Sequence, residues 1–313
     1  MKLGVVMDPI ETINFKKDST LAMMIEAQNK DHEIFYMTPN SLFINSGISY
    51  AASSRVKVKN DPLDWFELEE EKAIKLSELD AILMRQDPPF NSNYIYNTYI
   101  LEMASREGVS IFNNPRSLRD CNEKVFASEF PQCCTQHLVT SKKKLLTNFV
   151  EKFNDTVIKP LDGMGGASIF RLKKNDPNLS VILETITQHF TEKVMIQEYI
   201  PEISDGDKRI LLVNGEPMSA AIARIPAKGE LRGNLAAGAS AVAKSLSERD
   251  MWICKEVGPT LAEKGLLLVG LDIIGDYLTE INVTSPTCFK EYKELCDIDV
   301  AKTFIETVEE FTL

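Results

Sequence analysis

The stretch Ile158-Lys159-Pro160-Leu161-Asp162-Gly163-Met164-Gly165-Gly166-Ala167-Ser168-Ile169-Phe170 decides how this chain is read. A lysine closes a β-branched run, a glycine-dense loop follows, and an apolar run resumes at once. Glycine lacks the Cβ that blocks positive φ, so successive backbone N–H groups can turn inward and approach an anion closely. Between two strand-like runs, such a loop reads as a flap over nucleotide phosphates. No Gly-Lys-Ser/Thr opens a helix here, which excludes a Walker loop. A glycine-rich hairpin turn is the plainer alternative for the segment taken alone.

Around this stretch the chain has ordinary globular texture. Its 313 residues are 44% hydrophobic and 26% charged, enough for two or three domains with cores of their own. No apolar run approaches the roughly 20 residues that span a bilayer, so no membrane partner is expected. The opening Met1-Lys2-Leu3-Gly4-Val5-Val6-Met7 reads as a buried strand rather than a signal peptide, and the expected compartment is the cytoplasm. A net charge of −11 argues against a nucleic-acid partner. The acidic run Glu67-Leu68-Glu69-Glu70-Glu71 reads as a solvated face. Six cysteines without a CxxC pair, and only three histidines, make a zinc site a poor reading and reduced thiols the expectation. The adjacent Cys133-Cys134 pair reads as structural.

Residues 3–7, 33–37, 80–85 and 109–112 carry strand signals, with helices after Asp18-Ser19 and over 94–107. This βαβ rhythm predicts a Rossmann-like parallel sheet with helices on both faces. No GxGxxG follows the first strand, so a dinucleotide site is excluded. The texture changes near Asn113-Asn114-Pro115, and the first domain is placed at 1–122. A second unit, 123–200, holds a basic helix over 140–153, strands over 156–159, 168–172 and 193–199, and a helix over 179–189. From 201 to 313 the pattern is mainly antiparallel: strands 209–213 and 218–225 about Asn214-Gly215, a helix from Ser247 to 264, a hairpin 266–274/277–283 about Gly275-Asp276, and a closing helix. The fold class is α/β (α+β).

Three constellations complement the flap. Strand alternation puts Glu280 and Asn282 on one face, with Asp272 able to meet them across the hairpin. These three oxygen donors suit Mg²⁺, a hard ion that shares nucleotide phosphates, although two solvated residues on an open face would look the same. Lys124, Lys159, Arg209, Arg224 and Arg232 form a spread of cations; Lys159 and Arg209 interrupt apolar strands, where a lone charge needs an anionic partner. Gln197-Glu198-Tyr199-Ile200-Pro201 is a strand end able to offer backbone groups to adenine, with Asp207 beyond it to accept ribose hydroxyls. An ordinary strand end reads equally well. Arg85, beside Asp87-Pro88-Pro89, suits a substrate carboxylate or a surface salt bridge. Ser19, at a helix start, suits an anion.

Taken in order, Lys124, Lys159-Pro160-Leu161-Asp162-Gly163-Met164-Gly165-Gly166, Gln197–Pro201, Asp207-Lys208-Arg209, Gly233-Asn234-Leu235-Ala236-Ala237-Gly238 and Asp272…Glu280-Ile281-Asn282-Val283-Thr284-Ser285-Pro286 resemble the ATP-grasp superfamily. Within it, the chain resembles bacterial glutathione synthetases. Val6-Met7-Asp8-Pro9, Asn14-Phe15-Lys16-Lys17-Asp18-Ser19 and Met84-Arg85-Gln86-Asp87-Pro88-Pro89-Phe90 resemble that family's amino-terminal domain, so the likeness runs nearly end to end.

The resemblance implies an ATP-grasp fold and ligation of glycine to γ-glutamylcysteine, releasing glutathione, ADP and phosphate. It implies that Lys124 and Lys159 hold ATP phosphates, with Gly163, Met164, Gly165, Gly166 and Asn234 in the covering loops. Gln197, Glu198, Tyr199 and Ile200 would meet adenine, and Asp207 the ribose. Asp272, Glu280 and Asn282 would bind two Mg²⁺ ions, with Mn²⁺ as an alternative. Arg209, Arg224 and Arg232 would act on the transferring group, and Arg85, Ser19 and Ser285 on the substrate. A homotetramer is implied as well. The chemistry explains the residue types: ATP must turn a carboxylate into an acyl phosphate, which calls for charge neutralisation rather than a protein nucleophile. Glycine's amine then attacks, and water must be excluded meanwhile, for which segments 163–166 and about 226–241 are natural lids. After Gly238 the chain reads Ala239-Ser240-Ala241 where many members carry glycines, a departure that bears on the second lid. Two other readings stand beside this one. One is another ATP-grasp ligase, joining D-alanine or glutamate; the other is a nucleotide-binding regulatory module without turnover.

Overall fold

Runs of Val, Ile, Leu and Met become buried strands at the centre of the amino-terminal sheet. In the computed structural model, which describes residues 1–312 except 164, 228–229, 231–232 and 234–237, Lys2–Val6 lies parallel to Glu33–Met37 and to Ala81–Met84. Ser110–Phe112 extends the parallel set. The expected parallel sheet is thus the middle of a larger, mixed one of eight strands. Ile48–Val58 runs antiparallel to Glu33–Met37, and Leu42–Asn45, Phe66–Leu68 and Lys72–Lys75 all pair with it. These four strands are illegible in the sequence because Ile48–Val58 turns Ser49, Ser53 and Ser54 inward, where alternation expects apolar side chains. The acidic run 67–71 is exposed, as read.

The flap joins two strands of a second, antiparallel sheet, ordered Phe170–Lys173, Asp155–Pro160, Val194–Glu198 and His137–Thr140. Thr140 ends a strand rather than starting a helix; Val139 and Thr140 pair with Met195 and Val194, and the helix begins only at Lys143. Leu146 and Val150 of Lys143–Phe153, with Leu183 of Leu179–Ile186, bury Ile158, Leu172 and Ile196. Inside the flap Gly165 and Gly166 take φ of 67° and 75°, which the absence of a Cβ permits.

A third antiparallel sheet runs Ser240–Ser245, Ala220–Ile225, Asp207–Val213, Leu268–Ile274 and Tyr277–Asn282. Asn214 and Gly215 make the tight turn with φ of 49° and 80°. Half of the expected second lid, including Arg232 and Asn234, lies outside the described residues. Its last members, Ser240 and Ala241, sit in a strand paired with Ile225 and Arg224. Ser247 and Asp250 form a capping box that opens Glu248–Glu263. The single closing helix expected is two, Phe289–Cys296 and Val300–Thr312, broken where Asp297 turns left-handed. The last helix returns to the amino-terminal sheet, where Glu309 meets Lys30 at 2.9 Å and His32 at 2.7 Å.

Candidate active site

Cross-strand register in the third sheet assembles an ion network. Arg209 stands opposite Asp272, Asp272 opposite Glu280, and Asp207 opposite Arg224, so each pair shares a face of the sheet. Arg209 donates from Nε to Asp272 Oδ1 at 2.6 Å and from Nη2 to Oδ2 at 3.1 Å. Arg224 reaches the same carboxylate at 2.9 Å while also holding Asp207. Lys159, next to the end of its strand in the second sheet, donates to Glu280 Oε1 and to the Thr279 carbonyl, both at 3.2 Å. Lys124 lies 3.8 Å from Glu280 and donates to the Gly163 carbonyl of the flap at 2.7 Å.

All seven of these charged residues line one cavity between the second and third sheets, together with Gly163, Gly165, Gly166, Gln197, Tyr199, Ile200 and Asn282. Four of the cavity's cations therefore face three of its carboxylates in a space roofed by the flap. Burial would raise the Asp272 carboxyl, but Arg209 and Arg224 overcome it and hold the group well below the usual carboxylate range. Glu280 is lowered in the same way by Lys124 and Lys159 against the opposing effect of burial. Asp207 behaves oppositely. Burial, with repulsion from Asp272, outweighs the pull of Arg224 and pushes it up to about 6.

That contrast gives a pH test. A carboxyl raised in the folded state from 3.8 to about 6 adds stability that is complete below its unfolded value and is lost as pH rises through the folded one. Wild-type protein should therefore lose about 1 kcal/mol relative to Asp207→Asn between pH 5 and 7. Paired urea titrations at the two pH values measure it, and a constant gap would show that Asp207 is already ionised at pH 5.

Sequence reasoning missed Gly270, although a glycine inside the apolar run Leu268-Val269-Gly270-Leu271 is a known sign of close approach. The Arg209 side chain lies across it: a Cβ at residue 270 would come within 2.9 Å of Arg209 Cδ and 3.2 Å of its Nε. Gly270→Val is expected to push the guanidinium off Asp272, lowering turnover about 100-fold and stability by about 1–3 kcal/mol. Steady-state kinetics and thermal unfolding check both, and normal turnover would show that Arg209 need not lie where it does.

The far end of the cavity holds a second feature unread in the sequence. The Arg171 guanidinium stacks 3.5 Å from the Tyr199 ring centroid and is fixed by Asp155, which accepts from Nε at 2.8 Å. This flat pair walls the region that Gln197 and Ile200 also line. Glu198 is not among the lining residues; its N–H donates to the Gln136 carbonyl. Met164, Arg232 and Asn234 fall outside the described residues.

Arg85, Ser19 and Ser285 come together elsewhere, at the seam between the amino-terminal sheet and the loop after Asn282. Arg85 is 4% exposed and donates to Thr20 Oγ1 at 3.1 Å and to the Pro286 carbonyl at 2.9 Å. Ser285 Oγ is 3.5 Å from the Arg85 carbonyl, and Ser19 Oγ accepts from Phe289 N at 3.3 Å. Among the described residues Arg85 makes no ion pair, which removes the surface salt-bridge reading and leaves a buried cation whose guanidinium value burial lowers. Asp18, rather than Ser19, caps its helix and accepts the Leu21 N–H at 2.6 Å.

The donor chemistry fits a hard divalent ion. Asp272 and Glu280 are register partners, Asn282 follows on the same face, and all three are oxygen donors in one cavity. Asn282 commits its amide N–H to the Gly270 carbonyl at 3.1 Å, which leaves its oxygen as the remaining polar atom. Among the described residues no three His, Cys, Asp or Glu side chains cage a metal by themselves. Magnesium is commonly held by one or two carboxylates with phosphate oxygens and waters, so this donor count suits it. A further buried atom, Asp207 Oδ1, has no hydrogen-bond partner among the described residues.

Comparison with known proteins agrees with this geometry. Two family models match: prokaryotic glutathione synthetase, N-terminal domain, over residues 1–119, and prokaryotic glutathione synthetase, ATP-grasp domain, over residues 123–297. A glutathione synthetase of Vibrio parahaemolyticus is 56% identical over 309 residues, covering 99% of this chain and 98% of that protein. One from Pseudomonas aeruginosa is 54% identical over 308 residues, covering 98% and 97%. Among solved structures, the D-cycloserine synthetase DcsG superposes with a TM-score of 0.71 at 12% identity over the full length of both chains. The ATP-grasp ligase PsnB gives 0.65 at 13% identity, covering 99% of this chain and 98% of its own. Those distant likenesses establish the ATP-grasp fold, and the close ones, spanning nearly every residue, establish that the chain belongs to the prokaryotic glutathione synthetase family.

Proposed function

We propose that this ATP-dependent ligase joins glycine to the cysteinyl carboxylate of γ-glutamylcysteine, forming glutathione, ADP and phosphate. The observation that carries the reading is the single cavity where Lys124, Lys159, Arg209 and Arg224 face Asp272, Glu280 and Asn282 beneath a glycine flap. The near-complete match to glutathione synthetases supports the substrates over D-alanine or glutamate.

In this reading the γ-phosphoryl group passes from ATP to the carboxylate oxygen, ADP leaves, and glycine's amine displaces phosphate from the acyl phosphate. Lys124 and Lys159 would hold phosphate oxygens. Arg209 and Arg224 would offset charge on the transferring group, and Asp207, with its unpartnered oxygen, would accept from the ribose. Asp272, Glu280 and Asn282 would hold Mg²⁺, which supplies charge neutralisation across the phosphates. Gly163, Gly165 and Gly166 would close over the nucleotide and keep water from the acyl phosphate. Arg85, Ser19 and Ser285 would bind the dipeptide. Three units, 1–122, 123–200 and 201–313, would divide these tasks in a cytoplasmic homotetramer.

The test is ADP release with ATP and Mg²⁺, comparing γ-glutamylcysteine plus glycine with D-alanine alone and with glutamate plus an amine. Release confined to the first mixture, with glutathione as product, supports the assignment. Release with another mixture would overturn it, and nucleotide binding without ADP formation in any mixture would favour a regulatory module. Light scattering tests the tetramer.

A further inference from the structure

Glu123 is a half-buried carboxylate that the roles above leave unused. One of its oxygens, Oε1, accepts three hydrogen bonds: from Val283 N at 3.0 Å, Thr284 N at 3.1 Å and Thr284 Oγ1 at 2.8 Å. Its carbonyl accepts a fourth, from Ile281 N at 2.9 Å. These donors belong to the segment that flanks and follows Asn282. The residue next to Glu123 is Lys124, which touches the flap carbonyl of Gly163 and approaches Glu280. From the other side, Asn113 Nδ2 donates to the Val283 carbonyl at 2.7 Å. The peptide beyond Asn282 is thus pinned on both its polar edges, and Glu123 supplies the pin on the lysine's side.

The side chain also lines two spaces at once, the nucleotide cavity and a smaller hollow bounded by Phe90, Asn122, Asp162 and Thr284. A carboxylate drawn partly out of water is costly unless hydrogen-bonded, and a simple fold contact would be met by an apolar side chain. Every side-chain bond of Glu123 goes to the strand end that carries Glu280 and Asn282. Losing those bonds would let that strand end shift relative to Lys124, and metal-bearing groups are sensitive to such shifts.

We propose that Glu123 is a positioning residue that locks the Glu280–Asn282 strand end to Lys124, so that the divalent ion and the ATP phosphates meet in register. The proposal rests on the metal and nucleotide reading above. Its signature is a selective loss of the metal-dependent part of nucleotide binding.

The experiment measures ADP affinity by calorimetry with and without Mg²⁺, and Mg²⁺ half-saturation in the ligation assay, for wild type, Glu123→Ala, Glu123→Gln and Thr284→Val. Glu123→Ala is expected to raise the Mg²⁺ half-saturation at least about tenfold and to lose most of the Mg²⁺-dependent gain in ADP affinity. Its KM for γ-glutamylcysteine should move far less than its Mg²⁺ half-saturation, because Arg85 is held by Thr20 and the Pro286 carbonyl rather than by Glu123. Glu123→Gln keeps an acceptor oxygen and should recover to within about threefold of wild type. Thr284→Val removes one donor and should move Mg²⁺ half-saturation about threefold in the same direction; it carries the test if Glu123→Ala does not fold. An unchanged Mg²⁺ dependence in Glu123→Ala or Thr284→Val, or a Gln variant no better than the Ala variant, overturns the proposal. A wild-type protein whose ADP affinity ignores Mg²⁺ would instead overturn the metal reading beneath it.

Discussion

Asp272→Asn is expected to cost about 3–5 kcal/mol of folding stability and at least about 10²-fold in ligation rate. The two losses have different origins. Asp272 is 5% exposed and is the shared counter-ion of Arg209 and Arg224, both equally buried. Neutralising it leaves two guanidinium groups with Asp207 as the nearby acid, and arginine cannot shed its proton to escape. The rate loss follows from the missing oxygen charge where metal and phosphates would meet. Glu280→Gln separates the two effects. Its partners are Lys124 and Lys159, which keep the Gly163 carbonyl at 2.7 Å and the Thr279 carbonyl at 3.2 Å as acceptors. Glu280→Gln should therefore lose a similar factor in rate with a smaller loss of stability. Urea unfolding and ADP release measure the pair. A near-normal rate in Asp272→Asn would reduce Asp272 to a counter-ion, and equal stability losses in both variants would remove the arginine–lysine distinction.

The network explains how a site built from charges is compatible with a stable fold. Lone buried ions are costly, and here each is answered by an opposite charge: Asp272 by two arginines, Glu280 by two lysines. A bound nucleotide with its divalent ion offers the same partners in exchanged form, phosphate for the cations and metal for the acids. Binding then replaces one set of pairs with another rather than stripping charges from water. Asp207 is the member least well answered, which agrees with its raised carboxyl and its unpartnered oxygen.

Legibility in the sequence followed physical signal strength. Continuous apolar runs such as Leu3-Gly4-Val5-Val6 and Ala81-Ile82-Leu83-Met84 mark fully buried strands, and both are present. Charged residues inside such runs, Lys159, Arg209 and Asp272, were equally plain, because burial forces a partner on them. The strands over 42–75 were not, since their inward positions include serine and their edges are exposed. Convergence of Asp272, Glu280 and Asn282 could be expected from alternation alone, whereas their salt bridges to arginines and lysines needed the third dimension. Gly270 and Glu123 illustrate the remainder. One acts by the absence of a side chain, the other by accepting backbone N–H groups some 160 positions away. Neither leaves a pattern at fixed spacing.

Lys159→Met should reduce turnover by about 10²–10³-fold while sparing the fold. Met keeps most of the apolar stem and removes the ammonium. The strand Asp155–Pro160 keeps its pairing on both sides, because the lysine side chain takes no part in the ladder. Glu280 retains Lys124, 3.8 Å away, so no acid is left without a counter-ion, unlike the arginines stranded by Asp272→Asn. The chemical consequence is larger. Lys159 lies next to the end of the strand that leads into the flap, so its ammonium sits where the glycine loop would bring phosphate oxygens, and it is 4% exposed. In so dry a setting a fixed positive charge acts on developing phosphate charge with little screening. Pre-steady-state ADP formation should fall with the steady-state rate, since phosphoryl transfer itself is slowed, and the thermal midpoint should move by only a few degrees. A variant that still forms ADP at the wild-type rate but makes less glutathione would place Lys159 at the second step, guarding the acyl phosphate, rather than at the first.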